Sequence, residues 1–146
     1  VAEKTDVANA LVTILSSMPE LNYVAFDKVR LSSEEFRDSE FPAVQLYGVR
    51  EASRHENRRR VVDWRINLEI VLRSTSSGGV KTQRDLWDLQ YLIERKLWED
   101  PQIGLTSNMI HLLHGGGFTT LQLTDPLLIH TIELTASFYQ ALVDVC

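Results

Sequence analysis

The sequence predicts an α+β fold: a largely antiparallel β-sheet with two helices packed on one face, in the order α-β-β-β-α-β-β. Three observations predict it. Residues 61–73 alternate apolar and polar side chains at period two. Two segments, near 6–18 and 82–98, repeat apolar residues at helical spacing. The strand-forming segments fall into two blocks with the second helix between them, which favours antiparallel pairing over repeated βαβ crossovers.

The first helix carries Val7, Leu11, Ile14, Leu15 and Met18 on one stripe. Thr5 or Asp6 is placed to cap its start, and Pro19 ends it. Asn22 to Lys28 reads as a short strand with Tyr23 and Phe26 as its bulky positions. Residues 29–40 are polar and read as a loop or poorly ordered turn. Phe41 to Tyr47 enters the next strand, with Pro42 at its first position, where a missing N–H is tolerated.

The clearest strand is Val61 to Arg73. Val62, Trp64, Ile66, Leu68, Ile70 and Leu72 share one face, and Asp63, Arg65 and Glu69 lie on the other. That charged face meets water or a partner subunit. The basic stretch Ser53 to Arg60 forms the tip of a long hairpin leading into it.

Ser74 to Gly79 is a flexible break before the second helix, whose start, Thr82-Gln83-Arg84-Asp85, resembles a capping box. Leu86, Leu89, Ile93 and Leu97 form its core stripe. Trp87, Tyr91 and Trp98 widen that stripe or sit beside it. Asp100-Pro101 closes the helix. Residues 109–124 read as a hairpin turning at Gly115-Gly116-Gly117, whose glycines supply positive φ. Asp125-Pro126 makes a turn, and the last strand runs from about Leu128 to Tyr139.

The chain of 146 residues has the size of one domain, spanning residues 1–146. No run of about 18 apolar residues is present, so no membrane-spanning helix is expected. The lone cysteine, Cys146, allows neither an internal disulfide nor a cysteine metal cluster. Net charge is −5, which argues against general binding to nucleic acid through a basic surface. The charge is uneven, however. Residues 50–65 hold six arginines against three acids, a local +3 that leaves −8 for the rest. Arg54, Arg58, Arg59 and Arg60 are its densest part and suit phosphate or carboxylate contacts.

Each catalytic template fails on inspection. His114-Gly115-Gly116-Gly117-Phe118 is like an esterase oxyanion-hole sequence, but no G-x-S-x-G elbow accompanies it. Gly78-Gly79-Val80-Lys81-Thr82 lacks the spacing of a phosphate loop. His111 and His114 would point to opposite faces of a strand. No enzyme activity, cofactor or metal is expected.

The layout as a whole resembles the tail terminator (tail completion) proteins of long-tailed bacteriophages. The resemblance is carried by the helix Asp6 to Met18, the phrase Glu40-Phe41-Pro42-Ala43-Val44-Gln45-Leu46-Tyr47 and the alternating strand Arg60 to Leu72. The helix Asp85 to Leu97 with Asp100-Pro101 after it, and the closing strand Glu133 to Tyr139, complete it. It implies a structural virion protein: a hexameric ring of this chain that caps the tail tube and ends its elongation. It further implies tail-tube and head-completion or connector proteins as partners, with DNA passing through the lumen and no membrane association. The place implied is the head-proximal end of the tail, after assembly in the host cytoplasm. Within such a ring, Arg54, Arg58, Arg59 and Arg60 are candidates for contact with the tube or with DNA in the lumen. Asp63, Arg65 and Glu69 are candidates for the subunit interface, and Trp87, Tyr91, Trp98 and Tyr139 supply aromatic surface or core.

Two alternatives stand beside this expectation. One is another phage neck or tail-tube component. The other is a small α+β enzyme or ligand-binding domain using His111, His114, His130 and Glu133.

Overall fold

The alternating run at 61–73 becomes the middle strand of a five-stranded sheet. The computed structural model describes residues 3–28, 30, 33–73, 75–76, 79–80, 83–105, 109–121 and 127–141. Its elements are α1 (Lys4–Ser16), β1 (Tyr23–Phe26), β2 (Ala43–Glu56), β3 (Arg59–Arg73), β4 (Thr75–Ser76), β5 (Gly79–Val80), α2 (Gln83–Glu99), β6 (Met109–Leu121) and β7 (Leu127–Ala141). Short 3-10 turns occupy Ser33–Glu35 and Asp38–Glu40. The main sheet has the order β1-β2-β3-β7-β6. Only β1 runs parallel to its neighbour; the other ladders are antiparallel. The fold class and element order are those the sequence predicts.

Period-two patterning decides which face the helices cover. Val62, Trp64, Ile66 and Leu68 of β3 sit opposite Phe138, Ala136, Leu134 and Ile132 of β7. All belong to one buried cluster with Val7, Leu11 and Leu15 of α1 and Leu86, Ile93 and Leu97 of α2. Both helices therefore lie on the same side. Truncating a fully buried member such as Leu11 or Leu134 to alanine costs about 2–5 kcal/mol.

The start of α1 differs in detail from expectation. The helix begins at Lys4 with Glu3 as its cap residue, and Asp6 accepts the Glu3 backbone N–H at 2.8 Å from inside the first turn. A carboxylate serves the exposed N–H groups equally well from that position.

The other sheet face is not left wholly to water. Phe36, Ala43, Val71, Leu127 and Ile129 form a second apolar cluster, with Tyr23 and Phe41 packed on it. Residues 33–40, part of the segment 29–40 read from its polarity as loop, close with Phe41 over one end of the sheet and bury Phe36. Arg30 fastens this plug. Its guanidinium lies 4.3 Å from the Tyr23 ring centre and 5.1 Å from that of Phe36, and it pairs with Glu40 at 2.7 Å. Its backbone N–H donates to Gln45 Oε1, and the Gln45 amide donates to the Arg30 carbonyl and to Glu69. Gln45 is buried, so these bonds replace the water it loses. Arg73 pairs with Asp38 beside it.

Three expectations need correcting. Residues 109–121 form one strand, β6, rather than a hairpin. Its glycines sit at an irregularity between His114 and Gly117, where the strand comes close to β7. A Cβ on Gly117 would lie 2.8 Å from the Thr131 carbonyl oxygen, so bare backbone is needed for approach rather than for a turn. At the expected break 74–79, the described residues Thr75–Ser76 and Gly79–Val80 pair antiparallel as β4 and β5. The tip of the basic hairpin is shorter than the expected Ser53 to Arg60, since β2 runs to Glu56 and β3 starts at Arg59. The Thr82 cap, the Asp125-Pro126 turn and Cys146 lie outside the described residues.

Candidate interaction surface on the basic hairpin

The basic stretch, expected as the tip of a long hairpin, is strand for most of its length. β1 stops pairing at Phe26–Leu46, while β2 continues beside β3 to Glu56. Only Asn57 and Arg58 make the turn, with φ of 47° and 65°. Positive φ at both central residues is the twist-matched way to close a two-residue hairpin. β7 accompanies the hairpin to its end, with Arg59 opposite Ala141. The projection is thus three-stranded, and its side chains are held in register.

Its root is anchored by Trp64. Gly48 passes so close that a Cβ there would sit 2.6 Å from the indole. Phe26 packs on the ring at 5.5 Å, and Lys4 lies 5.9 Å from its centre. A bulge between Gly48 and Arg50 follows, and it resets which residues face which side.

Most of the arginines singled out from sequence are tied down along the strands. Arg54 donates to Glu56 at 3.2 Å and to Asp63 at 2.7 Å, and these carboxylates raise its already high pKa. Arg59 lies over the Tyr139 ring at 4.9 Å. Arg60 reaches Glu51 at 3.8 Å and the Gln140 side-chain oxygen at 3.3 Å. Glu51 also accepts from Lys4 at 2.5 Å, which holds its carboxyl below the usual range. Arg58, on the turn, has no ion pair among the described residues.

Two of the three candidate interface residues are likewise engaged internally. Asp63 accepts from the Ser137 hydroxyl at 2.6 Å and from Arg54. Glu69 accepts from Gln45 at 2.8 Å and from the Tyr47 hydroxyl at 3.1 Å, and burial raises the Tyr47 pKa. Arg65 is exposed, and the register sets it directly opposite Arg50, also exposed. Neither is in an ion pair among the described residues. The opposition of Arg50 and Arg65 is not legible in the sequence, because it depends on both turn length and bulge.

A second exposed surface lies on α2. Trp87, Tyr91 and Trp98 are 50%, 62% and 62% exposed and share one arc at i, i+4 and i+11. They sit beside the core stripe rather than widening it. Trp64 is the tryptophan that joins the core.

The histidine set does not converge. His111 sits opposite Ser137 and Glu133 opposite Asn67, on the face away from the helices. His114 and His130 are on the helix side, where Trp98 meets the His114 ring edge-on at 5.4 Å. His130 shares a 2.8 Å hydrogen bond with the Thr119 hydroxyl. Among the described residues no group of three or more His, Cys, Asp or Glu side chains is placed to hold a metal ion. Nor does any described helix have the length and apolarity to cross a membrane. No protein-family model matches the chain, and no curated protein matches it in sequence.

Proposed function

We propose that this chain is a structural virion protein of the tail-terminator kind. Copies of it close into a ring, six in the reading we favour, that caps the tail tube and ends its elongation. The exposed end of the ring receives the head-completion or connector protein, and DNA passes through the middle. One observation carries this reading: each subunit bears two unlike, spatially separate surfaces. The first is the three-stranded hairpin with exposed arginines. The second is the aromatic arc on α2. A ring stacked between two different neighbours requires unlike surfaces, since a heterologous contact closes by rotation rather than by self-pairing. Exposed tryptophan and tyrosine are also the residues most enriched at protein contacts. The element order, α-β-β-β-α-β-β, agrees with the tail-terminator resemblance and supports the same reading.

Sedimentation velocity and negative-stain microscopy test it. The expected outcome is a ring in solution, or a ring formed on the ends of purified tail tubes. A protein that stays monomeric at high concentration and never attaches to tube ends contradicts the proposal.

A further inference from the structure

We infer that Arg50 and Arg65 form a phosphate-binding site for the DNA that threads the ring. This inference rests on the ring reading above and names the partner of its basic hairpin. Two arginines directly opposite each other across an antiparallel ladder repel, and such pairs normally cost stability. Nearby cations avoid this cost: Lys4, Arg54 and Arg60 have acids, and Arg59 has the Tyr139 ring. Arg50 and Arg65 stay exposed with no acid within ion-pair distance among the described residues. Glu133 is near in register, as the cross-strand partner of Asn67, yet pairs with neither. Asp63, the next acid along β3 on that face, is occupied by Arg54 and Ser137.

The row continues across the sheet without further charge. Thr135 lies opposite Arg65, and Leu113 lies opposite Thr135. Arg58 extends the unpaired cations to the hairpin end, roughly 20 Å further along at about 3.3 Å per residue. A bare pair of guanidinium groups with a third cation at a distance suits a repeating, sequence-independent anion. An acidic protein patch is the competing partner. It would be served equally by Arg54 and Arg60, which instead spend their donors on internal acids. With a net charge of −5 a single subunit binds DNA weakly through this local cluster, and several copies acting together strengthen the binding.

Binding of a short fluorescent DNA duplex of arbitrary sequence, followed by anisotropy across a salt series, tests the site. Three full-length proteins are compared: wild type, Arg50→Gln/Arg65→Gln and Arg54→Gln/Arg60→Gln. The two variants lose the same charge. The Arg50/Arg65 variant is expected to flatten the log–log salt dependence by about 0.9 for each phosphate that is no longer neutralised. The Arg54/Arg60 variant is expected to leave the slope unchanged. Equal flattening in both variants, or no DNA binding by wild type at low salt, overturns the inference. So does unchanged DNA binding with failed attachment to tail tubes, which assigns the pair to a protein partner. Sedimentation of the same samples separates the two readings. Intact rings without DNA binding refute the site alone, whereas Arg50/Arg65-dependent DNA binding without rings supports the site and refutes the ring. Circular dichroism of each variant, expected to match wild type, guards against loss of fold.

Discussion

Asp63 and Ser137 are joined across β3 and β7 by a 2.6 Å hydrogen bond, the serine hydroxyl donating to the carboxylate. The second carboxylate oxygen takes Arg54 at 2.7 Å. One side chain thus ties the hairpin to the strand that supports it. Replacing Asp63 with alanine is expected to lower stability by about 1–2 kcal/mol, the lower part of the range for charged hydrogen bonds because Arg54 is solvated. Ser137→Ala should cost about 1 kcal/mol. Chemical denaturation of both single variants and the double variant checks this. The double variant is expected to fall short of the sum of the singles by about 0.5 kcal/mol or more. Strict additivity would show that the bond does not couple the strands.

His114 and His130 lie against α2, and three of their four ring nitrogens are buried without a hydrogen-bond partner. Burial lowers both pKa values below the ordinary histidine range, and the nearby Glu94 carboxylate only partly offsets it. In the unfolded chain these rings take up protons near pH ~6.5. Between that value and the lower folded values the unfolded state holds more protons. Stability is therefore complete above about pH 6.5 and falls as the pH drops below it. Denaturation midpoints measured from about pH 8 to about pH 5 should show this decline, and His114→Phe/His130→Val should flatten it. An equal decline in the double variant would assign the effect to other groups.

The fold was legible where one periodicity had one meaning. The six apolar residues of β3 at spacing two can be satisfied only by a half-buried strand, and they occupy the core as expected. Legibility failed where one residue type serves two physical needs. Glycine permits both a turn and close backbone approach, so Gly115 to Gly117 could not be assigned from sequence to β6. Phe36 stands alone among polar neighbours, and its burial depends on the distant Val71 and Ile129. The arginine run read as a set of contact candidates at a hairpin tip, because its partners Glu51, Asp63 and Tyr139 become neighbours only once strand register is known. The same register created the Arg50–Arg65 opposition.

The glycines of β6 give a prediction with an internal control. A Cβ at Gly117 meets the Thr131 backbone oxygen at 2.8 Å and His130 Nε2 at 3.0 Å, whereas a Cβ at Gly116 meets nothing within 4 Å. Gly117→Ala must push β6 away from β7 and is expected to cost about 1–3 kcal/mol, the usual range for overpacking. Gly116→Ala should be neutral or slightly stabilising, since alanine restricts the unfolded chain. Thermal melts of the two variants suffice. Equal destabilisation would mean that both glycines are needed for backbone conformation rather than for space at one of them.

Arg58 occupies the second turn position with φ 65°, a conformation that costs an L-residue about 1–2 kcal/mol. Asn57 precedes it at φ 47°, and asparagine tolerates this region better than most residues. Asn-Gly is the preferred pair for such a two-residue turn, so Arg58→Gly supplies the missing half. No ion pair is broken among the described residues, because the neighbouring Arg54, Arg59 and Arg60 hold the local partners. The variant is therefore expected to gain about 0.5–1 kcal/mol, net of glycine's greater freedom in the unfolded state. Arg58→Ala, which keeps a Cβ at the same φ, should gain nothing. A rise in melting temperature for glycine alone would confirm that the turn is strained by backbone geometry, and an equal rise for both would place the strain in charge repulsion among Arg58, Arg59 and Arg60 instead.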